Sequence, residues 1–206
     1  VKDTYKFCPQ PLDFVSHQSI HCLLKDDEAL RLQLLADINN ADINDRKQSR
    51  LFYGTQSAGN LFKRNESSFK ALELGLKEAI SKYYDLYKNE DCEFIKSFPK
   101  QIEFSSSWFV KMQSGGHLTS HIHEDGWISG AIYLSIPKET KTQDEGAIEL
   151  STHGDDYPII NDDFPKKVIK PKEGDVIFFP SSVFHRTIPF ESDEERICIA
   201  FDLKPS

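Results

Sequence analysis

The stretch EGDVIFFPSSVFH, residues 173–185, reads as a turn, a strand, a break and the start of a second strand. Gly174-Asp175 supplies the turn, and the unbroken apolar run Val176–Phe179 suits a strand buried on both faces. Pro180 has no N–H to give to a ladder, so pairing ends there and His185 is delivered at the start of the next strand. The same pattern of short β-branched and aromatic runs, punctuated by Gly, Pro and Asp, extends in both directions from this stretch as far back as Pro99. Strands are expected near Ile102–Gln113, Leu118–His123, Ile128–Ile136, Ala147–Leu150, Lys167–Lys170, Val176–Phe179 and Arg196–Leu203, with polar connections over 137–146 and 151–165. With no helical period between them, these strands predict a double-sheet jelly roll or barrel and not a βαβ sheet.

Before Pro99 the period lengthens. Asp26 or Asp27 can cap a helix in which Leu30, Leu34, Leu35 and Ile38 recur at helical spacing. Ser67 or Ser68 can cap another, whose Phe69, Leu72, Leu76, Ile80, Tyr83 and Tyr87 form one apolar stripe suited to packing on a sheet. A chain of 206 residues can bury one sizeable core. The expectation is therefore a single domain over 1–206, mainly β, with a helical N-terminal part (1–100) packed on one sheet of a β core (101–206).

Lys and Arg number 25 against 33 Asp and Glu, a net charge of -8, which argues against a surface that tracks phosphate backbones. No run approaches the roughly 20 apolar residues of a membrane span. Nucleic acid and membrane are therefore not expected as partners. Cys8, Cys22, Cys92 and Cys198 are far apart with no CxxC pair, which suggests reduced thiols in a cytoplasmic protein.

The chemistry concentrates in GGHLTSHIHEDGWISG, residues 115–130. In an extended chain His117, Thr119, His121, His123 and Asp125 share one face, and imidazoles at i and i+2 stand about 7 Å apart along the strand. A jelly roll can bring the distant His185 beside them, giving a three-ligand site with open positions, as Fe(II) oxygen chemistry requires. Arg196, within RICIAFDL, is a poor core residue unless it meets an anion, and its planar fork suits a carboxylate. Two other readings stand beside this one. Arg196 can point outward and pair with Glu194 or Glu195. The histidines His117, His121, His123 and His185 can close a four-ligand structural shell in a non-catalytic binding module.

The order GGHLTSHIHEDGWISGAIYL (115–134), GAIEL (146–150), GDVIFFPSSVFHRTIPF (174–190) and RICIAF (196–201) resembles the Fe(II)- and 2-oxoglutarate-dependent oxygenase superfamily. It looks closest to a group with a His-x-His near a Ser-Gly-x-x-Tyr strand, some members of which are fused to tetratricopeptide repeats. GTQSAGNLF (54–62) and the helix after it resemble that group's amino-terminal part. The resemblance implies a double-stranded β-helix holding Fe(II), with 2-oxoglutarate as cosubstrate and O2 as oxidant. It also implies a hydroxylated small molecule or protein side chain, with release of succinate and CO2, and allows for tetratricopeptide repeats in a longer parent chain.

Carried over position by position, the resemblance makes His121 and His185 metal ligands and Arg196 the partner of the far carboxylate of 2-oxoglutarate. Tyr133 is a further candidate donor to 2-oxoglutarate, and Trp127 a candidate wall of the substrate entrance or a packing residue. The family's middle ligand is usually a carboxylate. Here His123 holds that position, so either His123 binds the metal, or Asp125 does through a shifted register, or the metal keeps only two histidine ligands, while His117 and Glu124 are bystanders. A cupin-type metal enzyme working without 2-oxoglutarate is the near competitor. The glutamate that a cupin signature expects after the second histidine is missing, and Arg196 has no defined task there.

Overall fold

The computed structural model describes residues 6–23, 28–46, 48–159 and 164–204; the candidate caps Asp26 and Asp27 lie outside them. In chain order the elements are β1 (Ser16–Ser19), α1 (Ala29–Asn40), β2 (Asp45–Arg46), β3 (Leu51–Ser57), α2 (Ser67–Tyr87), α3 (Glu93–Lys96), β4 (Glu103–Leu118), β5 (Ile128–Ser135), β6 (Ile148–Ser151), β7 (Lys166–Ile169), β8 (Asp175–Pro180), β9 (Phe184–Thr187) and β10 (Arg196–Lys204). Two antiparallel sheets form the jelly roll. The larger has the strand order β1-β8-β5-β10-β4-β3-β2 and the smaller β7-β6-β9. No helix among the described residues is long and apolar enough to cross a membrane.

The helical stripe of α2 behaves as its spacing predicts. Phe69, Leu72, Leu76, Ile80 and Tyr83 are buried, and they join Leu34 and Ile38 of α1 in one apolar cluster against the larger sheet. Tyr83 crosses the layer boundary directly: its ring packs on Phe178 of β8, and its hydroxyl donates to the Phe14 carbonyl at 2.8 Å. Trp127 joins the same cluster, with its ring against Phe94 and Phe98, so it packs in the core and does not wall the cavity described below.

The expectation of a helical N-terminal part over 1–100 needs correction, because strands also lie there. β1 takes the outer edge beside β8, and β3 with β2 extends the sheet beyond β4. These strands evade a search for alternating apolar residues. β1 is the short polar segment SHQS, and β3 is interrupted by a bulge at Tyr53-Gly54, where Tyr53 adopts a positive φ of 49°.

A second correction concerns the expected strand Leu118–His123. β4 runs unbroken to Leu118 and the chain then leaves the sheet, with a single bridge between His121 and His185. Gly126 N–H donates to the His123 carbonyl at 3.1 Å and closes a turn. The turn needs glycine on grounds of space, because a Cβ on Gly126 would meet Ser181 Oγ at 2.4 Å. Alternation of faces therefore stops at Leu118, and His117 is separated from the two histidines that follow it.

Candidate metal centre and cosubstrate cavity

Strand β10 positions the site by simple alternation. Ile197, Ile199, Phe201 and Leu203 enter the helix-side cluster, whereas Arg196, Cys198, Ala200 and Asp202 line a cavity of about 330 Å³ between the two sheets. His121, His123, His185 and Tyr133 line the same cavity. His185 arrives as anticipated, just past the Pro180 break, paired with Leu150 across the smaller sheet.

The ligand nitrogens of His121, His123 and His185 lie within 4.8 Å of one another. Each ring is held by its other nitrogen. His121 Nδ1–H donates to the Thr119 carbonyl at 2.7 Å, and His185 Nδ1–H to the Val183 carbonyl at 3.2 Å. His123 Nδ1–H donates to Asp202 Oδ1 at 2.5 Å. A carbonyl oxygen can only accept, so the proton sits on Nδ1 and the lone pair is on Nε2, as a metal ligand requires. Burial pushes His121 down to about 4 and holds His185 well below the ordinary imidazole value, which keeps both neutral at physiological pH. Three imidazoles gathered at one end of a cavity are a donor set that fits Fe(II).

The other candidates around the motif do not join this trio. His117 stacks on Phe52 with ring centroids 4.9 Å apart and is anchored to the Gly115 carbonyl. A four-histidine closed shell is thus not formed. Asp125 and Glu124 are exposed on the turn.

Arg196 is 2% exposed and does not pair with Glu194 or Glu195 at the surface. Among the described residues its guanidinium meets the Gly146 carbonyl at 3.0 Å, Met112 Sδ at 4.0 Å, Cys198 Sγ at 3.8 Å and the face of Tyr133 at 5.0 Å. None of these is an anion, so a buried positive charge faces the cavity with its charge uncompensated, a state that a bound carboxylate relieves. Burial raises the Tyr133 phenol above its usual value, so it stays protonated and can donate.

Two cavity residues were not singled out from the sequence. Trp108, on the cavity face of β4, has its ring 5.5 Å from that of His123. Asp202 receives hydrogen bonds from His123, Ser129 and Ser106. Burial works to raise the Asp202 carboxyl, and the three donors overcome it and hold the group below its ordinary value. A signal for Asp202 was present: an acid six residues beyond Arg196, and so on the same face of an otherwise apolar strand.

Residues 106–202 match the family model described as "Putative 2OG-Fe(II) oxygenase". The match spans 97 residues, somewhat under half of the chain, and over them the chain is similar to this family. Its cofactors are Fe(II) and 2-oxoglutarate, with O2 as oxidant, and the activity is that of a 2-oxoglutarate-dependent oxygenase. No curated protein sequence matches the chain.

Solved structures share the fold at low identity. A prolyl-4-hydroxylase from Pseudomonas putida is 15% identical over 93% of this chain and 92% of its own, with a TM-score of 0.59. The viral collagen prolyl hydroxylase of Paramecium Bursaria Chlorella virus-1 is 16% identical over 94% and 97%, with a TM-score of 0.56. HygX from Streptomyces hygroscopicus, solved with nickel and 2-oxoglutarate bound, is 10% identical over 95% and 85%, with a TM-score of 0.62.

Proposed function

We propose that His121, His123 and His185 hold the Fe(II), and that Arg196 and Tyr133 hold 2-oxoglutarate, in an oxygenase that hydroxylates a C–H bond of a small molecule or a protein side chain. The observation that carries this reading is the pairing, on one cavity, of three lone-pair-bearing imidazoles with a buried arginine that has no anionic partner among the described residues. When bound, the metal and 2-oxoglutarate supply an oxidant from O2 with release of succinate and CO2, and the protein's task is ligation, orientation and exclusion of water.

In this reading the chain's own groups divide the work. The three Nδ1 anchors fix the imidazole rings before the metal arrives, which reduces the entropy lost on ligation. Arg196 takes the far carboxylate of 2-oxoglutarate through its planar fork, and the Tyr133 hydroxyl donates to the same molecule. Cys198 and Ala200, small residues between Arg196 and Asp202 on the cavity face of β10, leave space for it. Trp108 beside His123 forms a wall for the substrate. His123, not the exposed Asp125, is the middle ligand. The helices of 1–100 complete one domain with the β core, and the free thiols of Cys8, Cys92 and Cys198 suit a cytoplasmic location.

Anaerobic titration of the protein with Fe(II) and then 2-oxoglutarate tests the reading. A weak visible charge-transfer band is expected, followed by succinate release on admission of air. Protein that binds no metal, or binds it without the band, overturns the assignment.

A further inference from the structure

We propose that Asp202 is a positioning residue that restores to this three-histidine centre the negative charge its ligand set lacks, acting through the Nδ1–H of His123. This rests on the assignment of His123 as a metal ligand. Three neutral imidazoles leave the full charge of a divalent cation uncompensated, where a carboxylate in place of one imidazole would offset one unit of it. Of the three imidazoles, His121 and His185 donate to neutral backbone carbonyls, and His123 alone donates to a carboxylate.

The carboxylate is held for this task. Oδ1 accepts from His123 at 2.5 Å and from Ser129 at 2.6 Å, while Oδ2 accepts from Ser106 at 2.9 Å. Ser129 is itself bonded to Ser181 at 2.8 Å, so the cluster ties β10, β4 and β5 to the Ser181 turn that follows Pro180. Both oxygens are thereby fixed, and Asp202 is not part of the group of converging ligand atoms. A charge in this position raises the basicity of His123 Nε2 and fixes the direction of its lone pair. The total charge of the centre then equals that of a site with two imidazoles and one directly ligated carboxylate.

The test uses Co(II) as the probe in the full chain, with affinity measured by competition against a chelator and geometry read from the d–d bands. Asp202→Asn keeps the shape and an acceptor oxygen but removes the charge. It is expected to bind Co(II) roughly 10–100-fold more weakly, the range for lost outer partners of a ligand histidine, with altered d–d bands. Equal affinity in wild type and Asp202→Asn overturns the inference. No Co(II) binding by wild type overturns the ligand assignment beneath it.

If Asp202→Asn does not fold, proton NMR of the Zn(II)-loaded wild type decides. A slowly exchanging, far-downfield imidazole N–H is expected, absent in His123→Gln and retained in His117→Gln. Its absence from the wild type shows that His123 Nδ1 carries no such proton and sinks the proposal.

Discussion

The two faces of the larger sheet differ sharply, although one set of strands builds both. Toward the helices, Ile132, Phe178, Ile199 and Phe201 meet Phe69, Leu72, Leu76 and Tyr83, and this cluster is apolar. Toward the smaller sheet, Tyr133, Arg196, Cys198 and Asp202 share a wall with three histidines. The first face buries area without directional demands, whereas the second spends stability on a desolvated charge and neutral imidazoles. Stability and chemistry are thus separated by the thickness of one sheet, and a substitution on either side should leave the other readout largely untouched.

The sharpest break should come at Arg196. Arg196→Met is expected to cost about 2–5 kcal/mol of 2-oxoglutarate binding, a loss of roughly 30-fold to several thousand-fold, with Co(II) affinity unchanged. Isothermal titration with each ligand checks this, and loss of metal binding as well would mean that the arginine supports the centre rather than the cosubstrate. The mirror experiment is Leu72→Ala in α2. It should lower unfolding free energy by about 3 kcal/mol in denaturant titrations and leave the metal affinity of the folded protein unchanged.

A subtler effect is set by pH. Unfolded His121 takes up its proton near pH 6.5, but the folded metal-free protein refuses it until about 4. Stability from this group is therefore complete above 6.5 and declines as the pH falls toward 4. Melting temperatures of metal-free wild type and His121→Gln should converge over that window; parallel curves would contradict the desolvation of His121. The smallest effect is expected for His117→Gln, within about 0.5 kcal/mol in stability and with no change in Co(II) affinity, because this ring stacks on exposed Phe52 and bonds only the nearby Gly115 carbonyl.

Much of this division was legible in the sequence where periodicity is clean. The stripe Phe69–Tyr83 and the run Val176–Phe179 identify the helix and the buried strand because a single face, or both faces, are apolar throughout. The meeting of His121 and His123 with His185 could be anticipated from the Pro180 break, which fixes where the later strand restarts. The path of the His-x-His segment could not. An alternating pattern cannot reveal that the chain leaves the sheet at Leu118, since that depends on a turn closed by the Gly126 N–H and on contacts with the Ser181 loop. The outlying strands β1 and β3 escaped for a related reason: partner strands, not their own side chains, hold them in place. Asp202 could be seen as an acid on the Arg196 face of its strand, but its role depends on a histidine 79 positions away and so could not be read there.

The period-two layout of β10 has a consequence for how this protein can change over evolutionary time. Inserting or deleting one residue between Arg196 and Asp202 would turn Arg196 into the oily layer under the helices and expel Ile197 or Ile199 into the cavity. Drift in this segment is therefore confined to point replacement. Length variation is left to polar connections outside the paired strands, such as 137–145. New substrate preferences would then arise by point replacement along the cavity wall, around a strand that cannot slip.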